Sequence, residues 1–504
     1  AKLCLLHIPL AKGKKAKASF VQTYKAPEHF CNIMLTSSQY RKKHMKALVK
    51  VPAALAGSIK VTPYKFTENI TLSSETHPNG SVTYTVEATD LEPWRYESRA
   101  PEASTDSPKI IITGQFADAP DLYRHFLRYL DTADVDSREI TDIAGMLRAK
   151  ASSDEALIDS TAAWVRQNIR YLAVEHGEYA FRPASAAEVI RSRAGDCKGS
   201  ANLIKALLRK NGLDGRLAWV GTKGDIAFDW DEVPALCSGN HVIAACLHRD
   251  SIIYLDGTTT WASPGYIPPS IRGRRVMIED GDNCIITNVS ETGREADTER
   301  ISADFRISDN DLAGEIKVRL GGVAKMSLLS SMAGHEPRHR MNIAGRYISY
   351  PKKNTETDDI RIDADLSRDE VVITAAVRET NGAQKIGDRI YIDLKPIRDS
   401  FLTVADTTDR THDYVLPFGY TAEYDFTVKL PDGYRPASLP EPVGIDNEWH
   451  EASLEYTETE GTLRCRVCIS AKELRVPLHM LPGRNEAVRK LLRAADTKLV
   501  LTPA

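Results

Sequence analysis

Gly195-Asp-Cys-Lys-Gly-Ser-Ala-Asn-Leu-Ile-Lys-Ala-Leu-Leu-Arg-Lys-Asn-Gly212 is the stretch on which the reading of this chain turns. Apolar residues at 201, 204, 207 and 208 fall on one face of a helix. Arg209 and Lys210 sit in its last turn and Gly212 is the stop. Asp196 is the natural N-cap, and glycine at 195 permits a tight approach into the helix. Cys197 therefore occupies the first turn, where unpaired backbone N–H groups and the helix dipole favour negative charge. Thiols so placed are nucleophiles, because the thiolate is the reactive form. The backbone N–H of Cys197 is also available to an oxyanion forming at an attacked carbonyl.

A nucleophile of this kind needs a base, and the base needs an orienting group. His241 opens the apolar run Asn240-His-Val-Ile-Ala-Ala-Cys-Leu247, and Ser251-Ile-Ile-Tyr-Leu-Asp-Gly257 follows as its hairpin partner. A turn at His248-Arg249 sets 241 opposite 256; a shift by one residue sets 241 opposite 258 and leaves Asp256 diagonal on the same face. Both registers bring a carboxylate beside the imidazole. The expected site is thus Cys197 on a helix start, His241 on one strand and Asp256 on the next.

Outward from this core, the texture changes twice. Before it, Leu122, Phe126, Tyr129 and Leu130 have helical spacing, as do Ile140, Ile143 and Leu147. Ser152-x-x-Glu155 reads as a capping box opening a helix whose face carries Leu157, Ile158, Thr161, Trp164, Val165, Asn168 and Ile169. A short helix is expected at 186–193. After the core come strands at 216–222, 241–247, 252–258, 276–279 and 284–289. Residues 1–115 read as strands, with Asn79-Gly80 as a hairpin turn before the alternating run at 81–87. Residues 291–504 read as one or two β-sandwich-like units with two helical inserts, near 323–332 and 484–495. The fold class is α+β: an N-terminal β domain over 1–115, a core over 116–290 and a C-terminal β-rich region over 291–504.

The Gly195–Gly212 stretch resembles the nucleophile helix of the bacterial transglutaminase-like superfamily. Trp164-Val-Arg-Gln-Asn-Ile-Arg-Tyr171 and Phe181-Arg-Pro-Ala-Ser-Ala-Ala-Glu-Val-Ile190 are similar to its upstream segments. Asn240-His-Val-Ile and Tyr254-Leu-Asp-Gly-Thr258 are similar to its His and Asp strands. The resemblance implies a papain-like core with Cys197 as nucleophile, His241 as general base and acid, and Asp256 as orienter. It implies acyl transfer without metal or organic cofactor, a peptide or protein substrate, and an exported bacterial protein with envelope-associated partners. A papain-like peptidase or amidase is the leading expectation. The alternatives are an inactive peptide- or glycan-binding module and a cross-linking acyltransferase. Where many relatives read Gly-Asp-Cys-Lys-Asp-Lys, this chain has Gly199-Ser200, a change expected on an exposed first turn. Trp164 and Tyr171 are candidates for cleft lining or a second oxyanion donor, with core packing favoured for Trp164, and Glu175, His176 and Trp261 are expected near the site.

Composition excludes other classes. The chain has 504 residues with 66 Lys+Arg against 69 Asp+Glu, a formal charge of −3, which argues against a general nucleic-acid or anionic-membrane binder. The basic runs at 12–17 and 41–44 have no interleaved aromatics and read as solvated surface. No apolar run approaches the ~18–20 residues needed to span a bilayer. The eight cysteines, at 4, 31, 197, 237, 246, 284, 465 and 468, define no disulfide framework. Cys465 and Cys468 lie in a strand-like run that turns them to opposite faces, so they read as packed thiols and not as metal ligands. His335-Glu-Pro-Arg-His339 has the letters of a zinc-protease helix, but Pro337 interrupts it and a helix-start turn with exposed histidines is expected. Asp363-x-Asp365-x-Ser367 lacks the Gly and Glu of a calcium loop, and no phosphate-binding glycine loop is present.

Overall fold

A five-stranded antiparallel sheet carries the centre of the chain, in the order Ser251–Leu255, His241–His248, Asp214–Val220, Arg275–Asp280, Asn283–Asn288. The computed structural model describes residues 33–130, 137–174, 177–291, 296–349, 354–398 and 402–504. Cys4, Cys31, the 12–17 basic run, Glu175 and His176 lie outside the described residues. Both faces of the central sheet are covered. On one, Leu217, Trp219, Val242, Ala244 and Met277 pack against Leu203, Ile204, Leu207 and Leu208 of the Cys197–Lys210 helix. On the other, Ala218, Val220, Ile243, Ala245, Val276 and Ile278 are sealed by Tyr254, Ile271 and Val289.

Helices Ala119–Leu127, Arg138–Lys150, Asp154–Asn168 and Ala186–Ser192 surround the nucleophile helix. Serine caps three of them, at 137, 153 and 185. The capping box is at Ser185 and Glu188, and the Ser152 expectation is corrected by one residue, since the Ser153 side chain accepts from the Ala156 amide. Lys205 Nζ reaches Glu279 at 2.7 Å, and the other Glu279 oxygen accepts the Leu217 amide at 3.0 Å. Both side chains are nearly dry. This contact ties the nucleophile helix to the sheet, because a buried charge left alone there is costly.

Before the core, two three-stranded sheets share a small apolar centre that includes Val61, Val86, Ala88, Ile110 and Ile112. The expected turn holds, with Gly80 at φ 79° between strands Ile70–Thr76 and Val82–Leu91. After the core, an eight-stranded sheet and a four-stranded sheet share one large core. Helices Gly322–Met332 and Leu481–Ala495 occupy the two expected inserts. A third, Pro337–Ser349, begins at the helix-start turn expected for 335–339, though a full helix there was not among the expected inserts. Proline opens it, leaving His335 and Glu336 outside, so the two exposed histidines are not one helix face of a zinc site. Cys465 and Cys468 do face opposite sides of a strand, but only Cys465 is buried; Cys468 is exposed, correcting the expectation that both pack. No helix among the described residues is long and apolar enough to cross a membrane.

The helix-on-sheet core sets the stability of the central unit. Leu207→Ala removes a side chain with no exposed surface and is expected to cost about 2–5 kcal/mol. Ser185→Ala, which removes the box, is expected to cost about 1 kcal/mol. Urea unfolding followed by circular dichroism measures both, and a Leu207→Ala midpoint equal to the parent's would contradict this packing.

Candidate active site

Asp196 caps the nucleophile helix as expected: its Oδ1 accepts the Gly199 amide at 2.8 Å. Its Oδ2 holds the Lys198 ammonium, and both side chains are buried. Lys198 also reaches the Val174 carbonyl at 3.4 Å. Upstream, Arg170–Tyr171 pairs in parallel with Ala194–Gly195, with the Leu172 amide donating to Gly195 O at 3.0 Å. The approach to Cys197 is therefore pinned from two sides. With the Gly199 amide consumed by the cap, the amides of Cys197 and Lys198 are the first-turn donors that a carbonyl oxygen would meet.

Gly199 and Ser200 are buried, which corrects the expectation of an exposed first turn. A side chain at 199 would press on Val189 and Ala184, with a Cβ 3.1 Å from Val189 Cγ2. Ser200 lies under Gly257, where an added Cβ would come within 3.0 Å of the serine Cβ. The Gly-Ser pair is thus a packing solution, Gly199 against Val189 and Ala184 and Ser200 beneath the Asp256 loop.

The hairpin adopts the second of the two registers. His248 pairs with Ser251 and Ala244 with Leu255, so continuation of the ladder would set 258 opposite 241. The strand ends at Leu255, and the chain turns there because Asp256 Oδ1 accepts both the amide and the hydroxyl of Thr258, at 2.8 and 2.7 Å. That turn leaves Oδ2 facing His241 Nε2 at 3.0 Å. The Cys197 side chain acts on the His241 ring as well, and with Nε2 engaged by the carboxylate, Nδ1 is the nitrogen left for the sulfur. His241 in turn pairs with Val220 on the central strand.

Burial by itself would strip the proton from His241, but the Asp256 charge and hydrogen bond, helped by Cys197, outweigh it and push the imidazole up to about 10. Burial likewise favours a neutral Asp256, yet the His241 charge, the His241 bond and the Thr258 bonds hold it below the ordinary carboxylate value. The linkage has opposite senses for the two groups. The His241 contribution to stability is complete below pH 6.5 and fades as pH rises through about 10. The Asp256 contribution is complete above pH 3.8 and fades on acidification through its lower folded value.

Cys197, Lys198 and His241 open into a cleft of about 320 Å³ walled by Phe126, Phe181, Trp219, Trp230, Leu236 and Val242. Phe126 stacks on Trp219 with centroids 5.2 Å apart. Asn240 stays at the rim, its amide oxygen accepting from the Thr222 amide at 3.0 Å. Several expected neighbours lie elsewhere. Trp164 packs against the core, the role favoured for it, with the Arg193 guanidinium over its ring; Tyr171 is exposed, and Trp261 packs against the C-terminal core. None of the three lines the cleft. The walls that do, Trp219 and Trp230, were not anticipated. A larger cavity of about 700 Å³ in the C-terminal region is lined without cysteine. No group of three or more His, Cys, Asp or Glu side chains able to hold a metal is found among the described residues.

A thiol at a helix start, an imidazole on one strand and a buried carboxylate beyond the next are thus brought together. Residues 141–257 match the model of the transglutaminase-like superfamily, so this part of the chain is transglutaminase-like. A domain of unknown function with a solved structure matches residues 388–496. Among solved structures, a protease candidate from Parabacteroides distasonis ATCC 8503 is similar over 94% of this chain and 75% of its own, with a TM-score of 0.59 and 13% identity. At that identity the likeness concerns the fold. A cysteine-protease candidate from Cytophaga hutchinsonii covers 45% of this chain and 70% of its own at 14% identity, and its TM-score of 0.21 carries no weight. No curated protein matches the chain.

The electrostatics give a direct expectation. Asp256→Asn removes the charge that holds the proton while leaving His241 buried, so the imidazole midpoint is expected to fall by more than about two pH units. Nitrogen-15 NMR of the histidine ring, assigned by difference against His241→Ala, measures it. An unchanged midpoint would show that the carboxylate does not govern the base.

Proposed function

We propose that this protein is a cysteine-nucleophile acyl-transfer enzyme that hydrolyses peptide or carboxamide bonds through a thioester. The observation that carries the reading is the shared cleft in which Cys197 meets the His241–Asp256 pair, joined by a 3.0 Å carboxylate–imidazole bond. In the first half-reaction the Cys197 sulfur attacks the carbonyl carbon, and the developing oxyanion is met by the first-turn amides. The imidazolium of His241 gives its proton to the departing amine as the carbon–nitrogen bond breaks, leaving the acyl group on sulfur. In the second, neutral His241 takes a proton from water, whose oxygen displaces the Cys197 thiolate, releasing the acid and restoring the imidazolium. Asp256 keeps its charge throughout and stabilises the imidazolium.

The aromatic cleft wall fits a polypeptide substrate presenting an apolar side chain beside the scissile bond, since such walls bury apolar surface and exclude water. A donor amine in place of water would turn the same thioester to cross-linking.

Incubation with a mixed peptide library and a labelled primary amine, read by mass spectrometry, separates the acceptors. The expected result is new carboxyl termini or released ammonia without amine incorporation, lost in Cys197→Ala while its melting temperature stays close to the parent's. Amine incorporation in place of hydrolysis would assign the cross-linking reaction, and turnover that survives Cys197→Ala would overturn the proposal.

A further inference from the structure

Behind the Asp256–His241 pair lies a second set of charges that the acyl-transfer steps do not use. Arg166, on the Asp154–Asn168 helix, is 5% exposed, and its guanidinium faces the charges of Asp256 and Asp159. Its Nη1 donates to the Ser263 carbonyl at 3.5 Å, and its Nε has no hydrogen-bond partner among the described residues. Ser263 follows Asp256 on the same loop, and it is also where the C-terminal region docks. Lys325, on the Gly322–Met332 helix, is 1% exposed and sends Nζ to Ser263 Oγ at 2.9 Å and to Arg368 O at 2.6 Å. Ser263 Oγ lies 3.3 and 3.2 Å from the carbonyls of Arg368 and Asp369.

Two buried cations from different units thus meet at one serine of the loop that begins at Asp256, and the Asp256 charge acts on Arg166. Burying a cation is unfavourable unless fixed acceptors and nearby negative charge compensate it. Here the acceptors are carbonyls and a hydroxyl, and the compensating charges are Asp256 and Asp159 for Arg166, and Asp369 and Asp365 for Lys325. The geometry points to Arg166 and Lys325 as positioning residues: a two-cation brace, half of it supplied by the C-terminal region, that holds Asp256 ionised and turned toward His241. The catalytic consequence rests on the acyl-transfer reading of Cys197, His241 and Asp256. In this arrangement the C-terminal region completes the site from behind.

The test is the rate of Cys197 alkylation by iodoacetamide between pH 4 and about 9, by peptide mass spectrometry, in Arg166→Met, Lys325→Met, Arg166→Lys and Lys325→Arg. Removing a positive charge raises the proton affinity of every acid in its field, whichever member of the cluster the acid limb reports. The remaining charges around the cluster, Asp159, Asp365, Asp369 and the Asp196–Lys198 pair, stay in place. Both Met variants are expected to move the acid limb to higher pH by about 0.5–1 unit, and the charge-retaining variants to leave it where it is. Thermal melts accompany each profile, and the near-isosteric Lys325→Met carries the test by itself if Arg166→Met does not fold. A limb unmoved in the folded Met variants overturns the brace, as does an equal shift in the charge-retaining ones. A parent without an acid limb overturns the acyl-transfer reading and the brace with it, which distinguishes that failure from the brace failing alone.

Discussion

A carboxylate with almost no exposed surface, Asp256, faces an imidazole at 3.0 Å, and the arrangement of the central unit follows from keeping that contact charged. An ionised carboxyl in the interior is expensive, so every lone pair and the net charge must be answered locally. One oxygen is answered by Thr258, through a turn that ends the strand at Leu255. The other is answered by His241, fixed by its ladder to Val220 on the central strand. The same imidazole acts on Cys197, whose position is set by the Asp196 cap and by burial of Gly199 against Val189 and of Ser200 under the Asp256 loop. The cluster is one packed object, and its charges are mutually dependent.

Much of this was legible in the chain. The nucleophile helix declared its start through Asp196, its buried face through the apolar spacing and its end through Gly212, because each signal is local. The hairpin was legible as a pair of strands, but its register was open: turn residues decide it, and Arg249 takes the left-handed conformation at φ 53° that the sequence alone does not demand. The aromatic wall was hidden for a different reason. The 214–220 strand is covered on both faces, so apolar residues run consecutively and no alternation marks Trp219 as facing the cleft. Trp230 lies in a loop, where periodicity has nothing to say. It is placed by a tertiary contact, the glycine at 239 leaving room that a Cβ 2.3 Å from the ring would take.

Other differences have equally physical origins. Ser152 and Ser153 are both competent caps, and the helix chose the later one, a single-residue slip of the kind caps tolerate. The exposed first turn expected at Gly199-Ser200 became buried because Val189 and Ala184 cover Gly199 and the loop after Asp256, distant in sequence, folds over Ser200. Trp261, four residues beyond Gly257, turns toward the C-terminal core instead of the cleft. The burial of Ser200 and the placing of Trp261 involve contacts between segments far apart in the chain, where local pattern is silent.

The account stands or falls on whether His241 poises the Cys197 sulfur. Alkylation by iodoacetamide at pH ~6, well below the ordinary thiol range near 8.5, compares the parent with His241→Ala most directly. The account predicts that the parent reacts at least about tenfold faster, the difference expected when a neighbouring imidazolium holds a thiolate. Equal rates in the two proteins, rising together only as pH approaches the ordinary thiol value, would contradict it.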